Sequence, residues 1–347
     1  MPLPAGRGCS FFCLLDAETE GACVSIQTTV VGSYPKPPEE GKPFTIRKTK
    51  HAIERGDATP DDLEQAFQDH IREVIAEQEA AGIDVVTDGH ARWDDILTPF
   101  AKHIGGFEIG GLLRWFDNNV YYRRPICTGK VEWRGPSSVE DFKFAASVAT
   151  KPVKAVIPGP VTFAHLSVDE HYANHDEFAM SIARVLAQEA FELEAAGARY
   201  IQIDEPALLD HPEDMALARE CTYIITNELK EAETVLATYF GDAKRLGPEL
   251  FDFTVDGFGF DLISGPENAV LLRDLPSEKK VQAGIVDARN TRLEAEEDLE
   301  RQIIEIAELC GAECLTVSPS AGLEFLPREK ARAKLGRLAK AAKKVGA

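Results

Sequence analysis

No stretch of this chain stays apolar for the roughly 18–20 residues that a membrane span needs, so a helical span is excluded. Basic residues are scarce: 38 Lys and Arg stand against 58 Asp and Glu, a net charge of −20. Nucleic acids and anionic membrane surfaces both require a basic patch, which leaves a small molecule as the expected ligand. Cysteine is neither dense nor paired. The seven (Cys9, Cys13, Cys23, Cys127, Cys221, Cys310 and Cys314) are an odd number at irregular spacing, the pattern of reduced thiols in a cytoplasmic protein rather than of a disulfide framework. Cys310 and Cys314 read as packing thiols. There is no low-complexity linker and no second segment of domain size.

What is present is a repeated strand-then-turn pattern. Eight short apolar, β-branched stretches run into glycine or polar residues: Thr29–Ser33, Asp84–Gly89, Lys154–Gly159, Tyr200–Glu205, Thr234–Tyr239, Asp252–Gly257, Val281–Asp287 and Cys314–Ser320. Helical segments fill the intervals. Strands alternating with helices pair in parallel, and eight such units close an α/β (β/α)8 TIM barrel over residues 27–347. Residues 1–26, with three cysteines and the brief apolar run 10–15, do not fit this pattern; they read as a disordered extension or an overlong start of the reading frame.

Helix signals are clear at several points. Thr59-Pro60-Asp61-Asp62 is a cap, a first-turn proline and acidic residues, followed by Leu63, Phe67, Ile71, Val74 and Ile75 on one face and a stop at Gly82. Further helices are expected over 177–196, 298–309 and 327–345, the last with its Lys/Arg run on a solvated face. The long excursion 93–152 holds Val120-Tyr121-Tyr122 and Lys130-Val131-Glu132-Trp133, which look like a hairpin or flap between strands two and three, placed where a lid would sit.

Barrels of this kind carry their chemistry at the C-terminal strand ends. Those ends are expected to present Ser33, Asp88, His90, Asp204, Glu205, Asp242, Asp256, Asp287 and Ser320. Each has a plain alternative, since carboxylates there also cap the following helix. The adjacent Asp204 and Glu205, held by Pro206, suit ammonium binding or acid–base work, or else a cap with a salt bridge. His90 with Asp204, Asp242, Asp256 and Asp287 offers a hard divalent cation as a further alternative.

Six segments occur in a recognisable order: Gly32-Ser33-Tyr34-Pro35, Thr87-Asp88-Gly89-His90-Ala91-Arg92-Trp93, Val156-Ile157-Pro158-Gly159-Pro160, Ile201-Gln202-Ile203-Asp204-Glu205-Pro206, Gly284-Ile285-Val286-Asp287-Ala288-Arg289 and Val317-Ser318-Pro319-Ser320-Ala321. Over residues 27–346 the chain resembles the catalytic-domain family of cobalamin-independent methionine synthase, in its single-barrel form. The resemblance implies methyl transfer to a thiol, with a zinc ion at the mouth that makes the thiolate. It also implies that Ser33 and Asp204 hold the amino-acid substrate.

The resemblance fails at the zinc ligands. Where the family carries His-x-Cys, Glu and Cys, this chain is read as Tyr239-Phe240-Gly241, Asp256 and Ala321, so no zinc is expected there. Asp-Gly-Glu of the family becomes Asp88-Gly89-His90, with Arg92 following, and Phe258 and Phe260 are expected to make the mouth apolar. The candidate catalytic groups are therefore His90, Asp204, Glu205 and Asp256. The candidate substrate-binding groups are Ser33, Arg92, Tyr239 and Asp287. Tyr121, Tyr122, Arg123, Arg124 and Trp133 are candidates for a folate or corrinoid methyl donor at the flap, with packing as the alternative. The expected function is methyl or alkyl transfer involving a small thiol or amino acid. The alternatives are a zinc-less barrel with other acid–base chemistry, and a non-catalytic partner subunit of a zinc-bearing methionine synthase barrel; self-association into a homo-oligomer is also open.

Overall fold

Parallel pairing runs almost without a break around a closed ring in the computed structural model, which describes residues 25–38, 41, 43, 45–118 and 120–346. The strands are β1 (Gln27–Thr28), β2 (Gly105–Arg114), β3 (Tyr121–Glu132), β4 (Lys154–Pro158), β5 (Val168–Asp169), β6 (Tyr200–Asp204), β7 (Glu233–Thr238), β8 (Gly257–Asp261), β9 (Lys280–Val286) and β10 (Leu315–Pro319). Seven of them form one sheet in the order β1-β10-β9-β8-β7-β6-β4. The parallel bridges Thr29–Val85 and Val86–Val153 supply the eighth stave and close the barrel. The helices are α1 (Thr45–Glu54), α2 (Pro60–Ala81), α3 (Thr98–His103), α4 (Val139–Val148), α5 (Pro160–His165), α6 (His175–Ala195), α7 (Met215–Thr226), α8 (Asn268–Leu271), α9 (Glu296–Cys310) and α10 (Arg328–Val345). The (β/α)8 barrel is confirmed. The expected extension 1–26 falls outside the described residues up to position 24, and Ile26 is buried in the core.

Local chemistry sets these elements. Thr59 and Asp62 form a capping box at the start of α2, Pro60 occupies its first turn, and Gly82 ends it at φ 92°. Along β6, Ile201 and Ile203 face outward against the helices while Gln202 and Asp204 share the inner face, as the two-residue period of a strand requires. Bulky apolar residues usually fill such an interior. Here it is partly polar: Lys154 donates to the side-chain oxygens of Gln202 (2.6 Å) and Gln282 (3.0 Å).

Three expectations are corrected. The sixth barrel strand is Gly257–Asp261, not 252–257, because residues 248–252 form a 3-10 turn; Asp256 thus precedes the strand at its lower end. Phe258 and Phe260 lie in the core under the helices rather than at the mouth. The segments 120–122 and 130–133 are not two arms of a hairpin. They belong to the single long β3 and its end, and the partner arm is the glycine-rich β2, with β3 also pairing in parallel with β5.

The closing helix α10 departs from a purely solvated basic face. Lys334 is fully buried and paired with Glu294 at 2.6 Å, and Arg328 is buried against Glu77 and Glu73. Lys340 and Lys344 meet Glu296 and Glu300 of α9 nearer the surface. No helix of the described residues is long and apolar enough to cross a membrane.

Candidate active site

A pocket of about 230 Å³ opens at the C-terminal ends of the strands. Ser33, His90, Asp204 and Tyr239 line its floor, with Trp93 at its side and Trp115, Val120 and Tyr121 of the flap above. His90 is placed by backbone shape. Gly89 and His90 take successive left-handed conformations (φ 68° and 51°), and the Asp88 side chain accepts the His90 backbone N–H at 2.9 Å. Left-handed φ is uncommon for a residue with a Cβ, so the turn is held against its own preference to aim the ring. The imidazole stacks on Trp93 (3.8 Å between centroids) and passes over Gly32, where a Cβ would lie 2.4 Å from the ring. Its Nδ1 sits 2.9 Å from Ser33 Oγ. Burial, reinforced by the charges of Lys36 and Lys154, holds its basicity well below the usual histidine value, so the ring is neutral at pH 7.

Asp204 is 3% exposed and accepts from Gln202 Nε2 at 2.6 Å and from the Tyr239 hydroxyl at 3.0 Å. These two neutral donors and the charge of Lys154 do not offset its loss of water, and burial pushes its pKa up to about 7. Gln202 relays to Lys154, whose ammonium is pushed down to about 7, again by burial. The result is a connected inner chain, Lys154–Gln202–Asp204–Tyr239, ending in the pocket. Lys154, Gln202 and Gln282 were not among the expected site residues. Their signal is legible: Lys154 is the one polar residue of β4, and Gln202 and Gln282 are uncharged polar residues between apolar neighbours of β6 and β9.

The other expected site residues lie elsewhere. Glu205 is fully buried away from the pocket and accepts the backbone N–H groups of Val161 and Thr162, capping α5. Of its two readings the cap holds, and Gly159 is required there because a Cβ would strike the carboxylate. Asp256 is at the opposite end of the barrel, bound to the backbone and hydroxyl of Thr234 at 2.8 Å. Arg92 turns outward to Asp141 and Glu64 and over the Phe67 ring. Asp287 holds its own turn, accepting from Arg289 N at 2.9 Å. Asp242 likewise caps the turn at Lys244. The hard-cation grouping of these aspartates is therefore not assembled.

At the strand ends that follow β7, β8 and β10 stand Tyr239 and Gly241, Asp261, and Ala321. Asp261, not Asp256, is the carboxylate that ends the sixth barrel strand, and it accepts backbone N–H groups of Phe240, Ile263 and Ser264 at 2.8–3.1 Å. Ala321 is buried in the core.

The flap is tied across the mouth. Arg289 donates to Asn118 Oδ1 (3.2 Å) and Ser264 Oγ (2.6 Å) and lies over the Phe240 ring, and Phe116 packs on Phe240. Of the flap residues proposed for a methyl donor, Tyr121 is exposed and lines the pocket. Tyr122 is buried and bonded to Leu166 O, Arg124 reaches Ser167 O, the Arg123 backbone is bound by Asp95, and Trp133 packs against the core.

The family profile described as "Cobalamin-independent synthase, Catalytic domain" matches residues 26–344. The chain belongs to this family. It is 34% identical to the methionine synthase of Saccharolobus solfataricus over 312 residues, 89% of this chain and 92% of that one. To the methionine synthase of Sulfolobus acidocaldarius it is 33% identical over 314 residues, 89% of each. Among solved structures, a B12-independent methionine synthase from a Shewanella species, in complex with selenomethionine, superposes with a TM-score of 0.80 at 26% identity, covering 92% of this chain and 98% of that one. The putative B12-independent methionine synthase of Listeria monocytogenes shares the fold, with a TM-score of 0.73 and 18% identity over 92% of this chain and 98% of that one. The chain is thus an enzyme of a methyl-transferring family, in agreement with the resemblance carried by its motifs.

Proposed function

We propose that this barrel transfers a methyl group to the sulfur of a small amino-acid thiol held at the mouth, and that it does so without the zinc ion usual in the family. The observation that carries the reading is the convergence of His90, Ser33, Asp204 and Tyr239 on one pocket of amino-acid size. The methionine synthase names of the relatives, and the selenomethionine bound by the Shewanella protein, support an amino-acid substrate of the methionine type.

The donor set speaks against a zinc site. Tetrahedral zinc needs three or four convergent nitrogen, thiolate or carboxylate ligands. The strand-end positions offer a phenol already donating to Asp204, a glycine, an aspartate spent on three backbone N–H groups, and a buried alanine. Activation of the thiol falls instead to the neutral His90 imidazole. In the tautomer this role requires, Nδ1–H donates to Ser33 Oγ, and Nε2, to which nothing among the described residues is bonded, carries the lone pair that takes a proton. The substrate ammonium sits on Asp204, whose carboxylate then regains the charge partner that burial denies it. The thiol proton passes to His90, the sulfur pair takes the methyl carbon, and the bonding pair of the broken bond stays with the donor. A folate or corrinoid donor would enter beneath Tyr121 and Trp115.

The test is formation of methionine from homocysteine by chelator-treated protein, with methyltetrahydrofolate or methylcobalamin, read by mass spectrometry. Turnover without added metal that disappears in His90→Gln and Asp204→Asn is expected. Activity that appears only after zinc is restored would refute the zinc-free reading. No activity alone, regained with a zinc-bearing methionine synthase barrel, would favour the partner-subunit role.

A further inference from the structure

We propose that His165, His175 and Asp214 form a binding site for a divalent transition metal, separate from the mouth. His165 is the last residue of α5, His175 the first of α6, and Asp214 the residue before α7. None of the three lines the mouth pocket. Their ligand atoms all lie within 4.8 Å of one another, and among the described residues this is the one convergent group of histidine, cysteine and acidic side chains.

The grouping is not explained by internal bonding alone. His165 Nε2 lies 2.6 Å from Asp214 Oδ2, an ordinary hydrogen bond. His175 Nε2 points at the same oxygen from 3.6 Å, beyond hydrogen-bond range, and is buried with no partner. Buried polar atoms are seldom left so, and each that is calls for an explanation such as an ion. The rings are also held in place. His211 stacks on His165 with centroids 3.5 Å apart and planes at 5°, and His175 packs against the same ring at 4.5 Å. Neutral imidazole is the form that ligates metal, and the packing fixes where each ring can present a nitrogen.

Two imidazoles and one carboxylate suit zinc, nickel, cobalt or copper rather than calcium or magnesium, which take oxygen ligands. Three protein ligands leave at least one position for water. The site would also act on the fold. Glu205 already caps the N-terminus of α5, and a metal at its other end would fasten α5 to α6 and to the segment between β6 and α7, which begins directly after Asp204.

Titration of chelator-stripped, full-length protein with Co²⁺, followed by its visible ligand-field absorption, tests the site, with Zn²⁺ competition and thermal unfolding alongside. One equivalent is expected to bind and to raise the unfolding temperature. His175→Ala and Asp214→Asn should each weaken binding by more than the roughly 10–100-fold that outer-shell changes cost. His175 is partly exposed at a helix start, so its substitution leaves the fold intact even where His165→Ala does not. His90→Ala should leave the titration unchanged. Absence of the band in the parent protein, or a band that persists in both His175→Ala and Asp214→Asn, would overturn the proposal, as would its loss in His90→Ala.

Discussion

At the lower end of the barrel, Asp84 and Asp256 each clasp a threonine of the adjacent strand. One oxygen of Asp84 accepts from Thr28 N and Oγ1 at 3.0 and 2.8 Å, one oxygen of Asp256 accepts from Thr234 N and Oγ1 at 2.8 Å, and each aspartate N–H returns a bond to the threonine hydroxyl. At the mouth, Asp204 has one neutral donor on each oxygen, a pocket before it, and an acidity shifted to about 7. The same residue type is a rivet at one end and an unsatisfied charge at the other. The number of donors does not decide this, since each aspartate accepts two; water does, because Asp84 and Asp256 remain open to solvent and Asp204 is buried. Glu205 adjoins Asp204 and burial pushes its pKa up to about 7 as well, but its oxygens face the N-terminus of α5 rather than the pocket.

The largest effect that would break this comparison is expected at His90. His90→Gln keeps a hydrogen-bonding group of similar reach but removes the base, and turnover should fall by about 10²–10⁴-fold with little change in unfolding temperature. Equal loss of stability would show the ring to be structural. Next, Asp204→Asn should lower kcat/KM by roughly 30–1000-fold, about 2–4 kcal/mol, through loss of the ammonium contact. Its counterpart Asp256→Asn should leave kcat/KM alone and cost about 1 kcal/mol or less in urea unfolding, because the amide oxygen can still accept from Thr234 but without the charge. If Asp256→Asn were as inactive as Asp204→Asn, the division between the two ends would fail.

A pH dependence sharpens the contrast. Free Asp204 titrates at about 7, and a bound ammonium lowers that value. Below pH 7 substrate must displace a proton, so affinity should fall by about tenfold per pH unit there and level off above it. Calorimetry in two buffers of different ionisation heat would detect the released proton, and a flat profile would refute the assignment. The smallest effect is expected from Lys154→Met. Removing that charge relieves one cause of the depressed His90 basicity, and the imidazole midpoint followed by NMR should move upward.

Much of the fold was legible because period and punctuation agree: α2 has both caps in its sequence, and β4 and β6 stop just before Gly159 and Glu205-Pro206. The misread sixth strand shows the limit. Residues 252–257 look as apolar and β-branched as a strand, but Pro248 and the turn that follows it consume them, and the alternating Gly257-Phe258-Gly259-Phe260 carries the ladder instead. That slip moved a carboxylate from the bottom of the barrel to its mouth and hid Asp261. Ser33, His90, Asp204 and Tyr239 were legible from strand ends and the family resemblance. Arg92 and Asp287 were not separable by sequence, since which way a loop side chain turns depends on Asp141, Glu64 and Arg289, set by distant elements. A metal content of the whole protein would now be ambiguous, because the His165 cluster offers a second place for an ion; the mouth has to be judged in His175→Ala.

The close passage of the His90 ring over Gly32 carries a historical consequence. With any side chain at position 32, even a methyl group, the imidazole has no room, since a Cβ there would fall 2.4 Å from Cε1. A lineage could acquire the histidine only while position 32 was still glycine, and it cannot abandon that glycine without first giving up the histidine. The two positions are therefore bound to one order of substitution. Relatives bearing a larger residue at 32 should never carry histidine at 90, which a comparison of sequences can decide without an assay.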